Sequence, residues 1–407
     1  MASERPAVGE LRKGRDILPA DDSTEGVIGD AEIKSAFGED LAQTLNIETW
    51  SDAIDWEGAV DRIKVEIDSA VQREDRLKTT IRNELLPRIS TRPNAPPEAG
   101  VYKTTPAELE SVHIGLLFPG RVEAVDGTSI TYDSLPLDIV QLGVAIVSYG
   151  GVSATFSQRI FRKEIASSSD PYQAALEIIQ MRDGRQGVGQ KDGLSELGRR
   201  GVMTFAERKV LVDKAKAEWR IGHGDPCPYE LLTGSGSMFL LDGALELLRR
   251  LIMEQRRFVF VPSAPNERGL LTLGSALRAG EYAVIDTTER RMLPIVEKGH
   301  YARGYKRKAE EFVRECGPRV LFGLFRASEA SPPYMFYAPR DEVHLAARIA
   351  IADSILQPER GFPMLLGVAD TACTSAFGGS GFLGIVHDAY AKVGAPYRFS
   401  GERETRG

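Results

Sequence analysis

A succession of short apolar strands and amphipathic helices, from residue 121 to about 286, constrains the fold of this chain more than any other feature. The segment DIVQLGVAIVSYG (138–150) is almost wholly apolar and predicts a buried strand. In PYQAALEIIQMRD (171–183) the apolar residues recur three and four positions apart, which predicts a helix. Further strands are predicted at 154–165, 257–263 and 281–286, and a further helix at 205–219. Strands and helices that alternate in this way pack as an α/β sheet covered by helices.

The last third of the chain continues the same pattern. It predicts a basic helix at 301–314, strands near 319–325 and 334–338, a helix at 341–356 and a final helical stretch at 384–394. The segment SMFLLDGALELLRRLIMEQ (237–255) is predicted to run from a buried strand directly into a helix.

The residues before this region predict a separate arm. From Glu57 to Ile89, apolar residues recur at three- and four-residue steps, which predicts an amphipathic helix that ends at Pro87. We expect this helix to pack on its own domain, with a partner-binding arm as the alternative. The Pro-rich segment 91–100 predicts a linker. The expected organisation is a polar, partly ordered segment at 1–55, a helical arm with its linker at 56–100, and one domain at 101–400.

Composition favours a cytoplasmic protein that does not enter a membrane. With 42% hydrophobic and 27% charged residues, the chain has the balance of a soluble globular protein. Its net charge of −7 argues against a generally cationic coat for nucleic acid, although a local basic groove remains compatible with that charge. The start has no apolar signal region, and the stretch 361–386 is too rich in Gly, Ser and Thr for a transmembrane helix. Three cysteines without a CxxC spacing predict neither disulfides nor a zinc site.

Two Asp-Gly pairs follow apolar runs and are the first candidates for chemistry. Asp126-Gly127 follows VEAV, and Asp242-Gly243 follows MFLL, so each aspartate is predicted to end a strand. A turn former at 126 and a helix N-cap at 242 are the structural alternatives. If the two strands are neighbours in one sheet, the two carboxylates meet there. Carboxylates that approach each other need protons or cations between them, which predicts a divalent metal site.

A third ligand is expected between the two aspartates in the sequence. Glu230 lies on a short helical turn twelve residues before Asp242, and Glu207 is the rival. For Glu207 the interpretation as a solvated helix residue is favoured. Two Mg²⁺ or Mn²⁺ ions in such a site can activate a water and stabilise the leaving oxygen of a phosphodiester.

The motifs together resemble those of the NurA nucleases. The resemblance rests on VEAVDGTS (122–129), FLLDGAL (239–245) and GFPMLLGVAD (361–370), and it extends over about residues 115 to 395. It implies an RNase H-like mixed sheet flanked by helices, a homodimer and action on DNA ends together with the hexameric HerA translocase ATPase. It also implies that Asp126 and Asp242 match the metal-binding aspartates of the family and that Glu230 matches its glutamate.

The third motif departs from the family pattern. The family has a tyrosine and a histidine where this chain has Phe362 and Asp370. Asp370 can still bind a hard cation, so it is the fourth predicted ligand, with a helix-capping role as the alternative. His387 is a substitute for the missing histidine, although a packing role on its helix is favoured.

Basic residues predict a track for nucleic acid. Cations interleaved with aromatic residues suit single-stranded nucleic acid, and a solvated amphipathic helix is the alternative. The candidate contacts are Arg249, Arg250, Arg303, Lys306 and Arg307.

The sequence therefore leads to two main hypotheses. The first is a metal-dependent DNA nuclease that hydrolyses phosphodiester bonds of single-stranded DNA or duplex ends, fed by a HerA-like motor, in DNA end processing or antiviral defence. The second is a catalytically weakened relative that binds DNA or clamps the motor, because the family Tyr and His are absent. A phosphatase or nucleotidyl transferase is a weaker third.

Overall fold

The structure is a computed structural model that describes residues 29–50, 56–132, 137–162, 169–180, 197–263 and 268–396. The chain divides into two compact units, Met1–Ala70 and Val71–Gly407, so the division falls within the long helix α3. Most of the segment 1–55, the last residues of the predicted strand 154–165 and those of the predicted helix 171–183 lie outside the described residues. The predicted domain boundaries stay predictions.

Helices and strands follow one another as the sequence pattern predicts. The helices are α1 (Asp30–Phe37), α2 (Leu41–Thr44), α3 (Trp56–Thr80), α4 (Pro106–Val112), α5 (Pro171–Gln180), α6 (Val202–Asp213), α7 (Tyr229–Thr233), α8 (Met238–Arg249), α9 (Arg268–Ser275), α10 (Glu289–Lys298), α11 (Tyr305–Cys316), α12 (Val343–Ser354), α13 (Met364–Phe377) and α14 (Gly379–Val393). The strands are β1 (Gly100–Lys103), β2 (Val122–Tyr132), β3 (Asp138–Ser148), β4 (Gly151–Arg162), β5 (Trp219–His223), β6 (Phe258–Val261), β7 (Glu281–Thr287), β8 (Val320–Arg326) and β9 (Tyr334–Pro339).

The described strands form one mixed sheet in the order β1-β7-β8-β9-β6-β5-β2-β3-β4. Strands β2, β3 and β4 are antiparallel neighbours, and β5 and β6 then continue the sheet parallel to β2. Three antiparallel strands followed by two parallel ones are the arrangement of an RNase H-like sheet. The predicted fold class, an RNase H-like mixed sheet flanked by helices, is confirmed.

Two hydrophobic cores cover the two faces of this sheet. Val125 belongs to the first core, together with side chains from α6, α8 and α11. Ala124 belongs to the second core, together with side chains from α12 and α13. Because side chains alternate along a strand, Asp126 shares the face of Ala124 and lies on the side of α12 and α13.

The predicted strand that ends at Asp242 is wrong, because residues 238–249 form helix α8. Its N-cap is Ser237, whose hydroxyl accepts a hydrogen bond from the N–H of Leu240, so the alternative N-cap role of Asp242 is wrong as well. Leu241, Ala244, Leu245 and Leu248 are buried at helical spacing, and Asp242 is exposed between them. The short run MFLL therefore forms the first turn of a helix, in which Leu241 is buried and Phe239 is 92% exposed.

The predicted turn at Asp126-Gly127 is also wrong, because β2 continues through both residues to Tyr132. The predicted helix 205–219 ends at Asp213, and a strand that the sequence pattern did not predict, β5, follows at Trp219–His223. These two corrections place the long strand β2 beside the short strand β5.

The apolar seam of α3 is largely exposed. Val60, Ile63 and Ile67 are 57–60% exposed, whereas Ile81 just beyond the helix is buried. The expected burial of this face is therefore not found at the first three residues, and the partner-binding alternative stays a prediction. In the described part of the chain, no helix has both the length and the apolar character needed to cross a bilayer.

Candidate functional site

The pairing of strands β2 and β5 stops just before Asp126, near the carboxyl end of β5, and the space around Asp126, Glu207 and His223 is called the crevice below. The two strands pair in parallel from Val122 with Trp219 to Val125 with Gly222, and β5 ends one residue later at His223. Asp126 is the first residue of β2 beyond this pairing, and it is only 6% exposed. Carboxyl ends of strands in α/β sheets, where neighbouring strands diverge, are preferred positions for binding sites.

Glu207 enters this crevice from α6. It lies against Gly127, since a Cβ atom at residue 127 would be 2.8 Å from Glu207 Oε1. Glu207 is buried, so its interpretation as a solvated helix residue is wrong. Burial and the negative charge of Asp126 raise the pKa of Glu207 to about 7, against the opposing effects of Arg208 and His223. The two carboxylates are therefore close enough for the charge of Asp126 to disfavour ionisation of Glu207.

His223 closes the crevice at the end of β5, and the sequence analysis missed it. Its Nδ1 lies 3.4 Å from Asp126 Oδ1, and its Nε2 lies 3.0 Å from Ser263 Oγ. The hydrogen bond to Asp126, together with the charges of Asp126 and Glu207, raises the pKa of His223 even though burial opposes the rise. The signal in the sequence is the alternation Trp219, Ile221, His223 before Gly224, which is typical of a strand end.

Arg208, next to Glu207 on α6, contacts the residues that form the crevice. Its guanidinium forms an ion pair with Glu207 and donates hydrogen bonds to the carbonyl oxygens of His223 at 3.0 Å and Asp225 at 2.5 Å. The side chain is buried, and it lies over the ring of Phe260 at 5.1 Å. Arg208 thus fixes the carboxylate of Glu207 relative to the end of β5.

Helix α13 supplies the wall on the other side of β2. A Cβ atom at Gly143 of β3 would lie 2.2 Å from the ring of Phe377, so this end of α13 packs closely on the sheet. The thiol of Cys373 is buried and accepts a hydrogen bond from the backbone N–H of Thr128. Burial raises the pKa of Cys373 to about 12, and the charges of Asp126, Glu207 and Asp370 add to the rise.

The neighbours of Cys373 show which predicted acids come together. The charges of Asp126, Asp370 and Glu207 all raise the pKa of its thiol, so these carboxylates from β2, α13 and α6 lie within electrostatic range of one point. Asp370 is exposed, and Phe362 is buried with its ring 6.2 Å from that of His223. The third motif of the sequence therefore does border the crevice.

Glu230 and Asp242 lie elsewhere. Helix α8 covers the face of the sheet opposite to that of Asp126, and Asp242 points to solvent, where Lys308 Nζ lies 2.8 Å from its carboxylate. Glu230 on α7 is half-buried and has Arg200 Nη1 at 4.0 Å. The structure does not bring Asp242 together with Asp126, because the predicted strand on which their meeting depended is a helix.

The predicted nucleic-acid contacts are mostly engaged with other parts of the chain. Arg249 pairs with Glu315 at 2.8 Å, and Arg250 pairs with Asp213 at 2.8 Å. Lys306 donates to the carbonyl of Glu297, Arg307 lies 3.5 Å from Glu311, and Arg303 is exposed. His387, on α14, is exposed and lies edge-on to Tyr132 at a distance of 6.4 Å between ring centroids.

The acids of the crevice fit a hard divalent cation by type, since carboxylate oxygens are its preferred ligands. Among the described residues, however, no three side chains of His, Cys, Asp or Glu stand close enough together to hold one ion. In this conformation, Arg208 occupies the position of counter-charge to Glu207.

No protein-family model matches this chain, and no curated protein matches it in sequence. Among solved structures it is similar to the NurA nuclease of Sulfolobus solfataricus, with a TM-score of 0.48 and 11% identity over 84% of this chain and 98% of that one. It is also similar to NurA bound to dAMP and manganese, with a TM-score of 0.38 and 11% identity over 78% and 93% of the two chains. It is similar to endonuclease V of Bacillus subtilis with a TM-score of 0.29 and 10% identity, over 67% of this chain and 82% of that one. In fold, the chain resembles NurA nucleases.

Proposed function

We propose that this protein is a divalent-metal-dependent deoxyribonuclease whose metal is held by Asp126, Glu207 and Asp370. The observation that carries the proposal is the convergence of two buried carboxylates, Asp126 and Glu207, at the open end of β5. Two like charges out of water are unfavourable unless a proton or a cation lies between them. A fold that maintains such a pair at a crevice is well suited to bind a hard cation there.

Each residue of the crevice has a role in this proposal. When bound, Mn²⁺ or Mg²⁺ supplies a Lewis acid and an activated water for phosphodiester hydrolysis. Asp126 and Glu207 provide anionic oxygens, and Asp370 provides a third from the exposed rim. Arg208 keeps the carboxylate of Glu207 in place, and His223, one third exposed, holds a proton beside Asp126 that it can exchange with the substrate. The predicted pair of ions remains part of the proposal.

The substrate and partners of this proposal come from the sequence motifs. We propose that the protein acts on single-stranded DNA or duplex ends, as a homodimer, with a HerA-like hexameric ATPase as its motor. Such a pair would serve DNA end processing or antiviral defence. The candidate DNA contacts Arg303, Lys306 and Arg307 lie on or just before α11 and stay predictions.

A second candidate function is a weakened subunit that binds DNA or clamps the motor without cutting. Two observations favour it. Phe362 cannot donate the hydrogen bond that the family tyrosine would donate, and among the described residues no three acid, His or Cys side chains form a closed set around one point.

A comparison of three matched variants tests the proposal. Cleavage of labelled linear duplex and single-stranded DNA in Mn²⁺ is measured for the wild type and for Asp126→Asn, Glu207→Gln and Asp242→Asn. We expect the first two variants to lose activity by roughly 100-fold or more, because each removes several kcal/mol of charge stabilisation. Asp242→Asn makes the same chemical change at an exposed carboxylate and should retain wild-type activity.

Metal binding is measured separately, without DNA, as the rise in melting temperature on addition of Mn²⁺. The wild type and Asp242→Asn should be stabilised, and Asp126→Asn and Glu207→Gln should not. A wild type that binds Mn²⁺ but leaves DNA intact would establish the weakened subunit instead. Equal cleavage by all four proteins, or loss only in Asp242→Asn, would refute the assignment of the site.

A further inference from the structure

A cationic cavity lies at the opposite end of the sheet from the crevice. It has a volume of about 340 Å³ and is lined by Arg256, Arg314, Arg319 and Arg340, with Glu315 and Asp341 as its acidic residues. Arg256 precedes the start of β6 and Arg319 precedes the start of β8, whereas Arg340 follows the end of β9. Strand β6 runs parallel to β5, so the amino ends of both strands lie at one edge of the sheet and their carboxyl ends at the other. The cavity borders the amino end of β6, whereas the crevice lies at the carboxyl end of β5.

The charges of this cavity are only partly neutralised by the protein. Arg340 is held by Glu98 at 3.0 Å, and Arg314 has Glu310 at 3.8 Å. The carboxylate of Glu315 is already engaged with Arg249 at 2.8 Å. Among the ion pairs of the described residues, none involves Arg256 or Arg319. The lining therefore carries two more cations than anions, and two of its guanidinium groups have no ion-pair partner in the described part of the chain.

The backbone at Arg256 is also unusual. Its φ of 54° lies in the left-handed region, where the end of a helical segment normally has glycine. The Nε of Arg256 donates to the carbonyl of Met253 at 2.6 Å and so caps the preceding turn. This contact uses one of the five N–H groups of the guanidinium and leaves the terminal nitrogens for another acceptor.

We propose that this cavity binds phosphate groups. Guanidinium groups bind phosphate oxygens through paired hydrogen bonds, and several around one concavity match an anion of more than one charge. The volume lies at the lower end of the range for small-molecule sites, which suits one or two phosphate groups. The phosphates come either from a small polyphosphate compound or from the backbone of a nucleic acid. This site is separate from the acidic crevice and does not depend on the proposed nuclease activity.

The experiment uses pyrophosphate as the probe, in EDTA so that no metal is bound. Melting temperature is followed against pyrophosphate concentration for the wild type and for Arg314→Gln, Arg319→Gln and Arg159→Gln. The last is the matched control, because Arg159 is an exposed arginine on β4 outside the cavity. Potassium chloride at equal ionic strength corrects for general screening.

We expect pyrophosphate to stabilise the wild type and Arg159→Gln equally and to bind about tenfold more weakly to each cavity variant, the effect of one lost charged hydrogen bond. Binding of a fluorescent single-stranded oligonucleotide then distinguishes the two sources. If the cavity variants bind the oligonucleotide more weakly and pyrophosphate displaces it from the wild type, the ligand is a nucleic-acid backbone. If neither is observed, the ligand is a small polyphosphate. No stabilisation of the wild type, or equal stabilisation of all four proteins, would overturn the proposal.

Discussion

The two Asp-Gly motifs of this chain should respond oppositely when the glycine is replaced by alanine. Gly127→Ala should lower the stability of the protein, and Gly243→Ala should raise it. A Cβ atom at residue 127 would lie 2.7 Å from Met203 Sδ and 2.8 Å from Glu207 Oε1, inside van der Waals contact with both. At residue 243 the nearest atom would be Phe205 Cε2 at 3.6 Å, an ordinary contact on a helix. Gly127→Ala should cost about 1–3 kcal/mol because the core is overpacked. Gly243→Ala should gain roughly 0.5–1 kcal/mol, because alanine is the better residue in a helix interior.

The assay is denaturant unfolding in EDTA, followed by Mn²⁺-dependent stabilisation and DNA cleavage. In Gly127→Ala the side chain of Glu207 must move away from β2, so we expect both Mn²⁺ effects to be reduced. Gly243→Ala should keep both, since Gly243 lies on α8, on the other side of the sheet from Asp126, and Asp242 beside it is exposed. If Gly127→Ala were as stable and as active as the wild type, Glu207 would not lie against Gly127, and its assignment beside Asp126 would fail.

Two further predictions concern buried ionisable groups, one beside Glu207 and one on α12. Arg208→Gln should destabilise the protein by about 3–5 kcal/mol, because it leaves the buried Glu207 without its cation; thermal unfolding should show a larger loss at pH 8 than at pH 6, where Glu207 can take up a proton. The carboxylate of Asp353 accepts hydrogen bonds from the hydroxyl of Tyr149 and the N–H of Leu365. Burial raises the pKa of Asp353 from 3.8 to about 6. Its contribution to the free energy of unfolding is therefore complete below about pH 4 and is lost as the pH rises through 6. Asp353→Asn should therefore remove a fall of roughly 3 kcal/mol between pH 4 and pH 7.5, measured as melting temperature against pH, and an unchanged profile would contradict this origin.

Much of the sheet could be predicted because its strands carry a strong local signal. Strand β3 is buried along nearly all its length, and the corresponding run IVQLGVAIV is almost continuously apolar. The sequence pattern also located β4, β6 and β7, and β8 and β9 near the end of the chain. The order of the strands could not be predicted from these runs, since β2 pairs with β5 across a long intervening segment.

The positions of Asp242 and Glu207 could not be predicted from the sequence for two physical reasons. The four apolar residues before Asp242 have the composition of a buried strand, but they form the first turn of α8, in which Leu241 is buried and Phe239 is exposed. Glu207 and Arg208 form a buried ion pair, but in the sequence they have the same composition as a solvated face of a helix. Charge alone therefore did not distinguish the buried Glu207 from a surface residue.

The crevice arises from unequal strand lengths, which no single motif encodes. Strand β2 has 11 residues and β5 has only 5, so the pairing between them stops at Val125 while β2 continues. Beyond that point β2 keeps β3 on one side and, among the described strands, has none on the other. Asp126 lies at the first open position, and the absent side chain of Gly127 admits Glu207 from the opposite face of the sheet. A strand beside β2 that continued past His223 would close this opening, so the early end of β5 is the feature on which the proposed metal site depends.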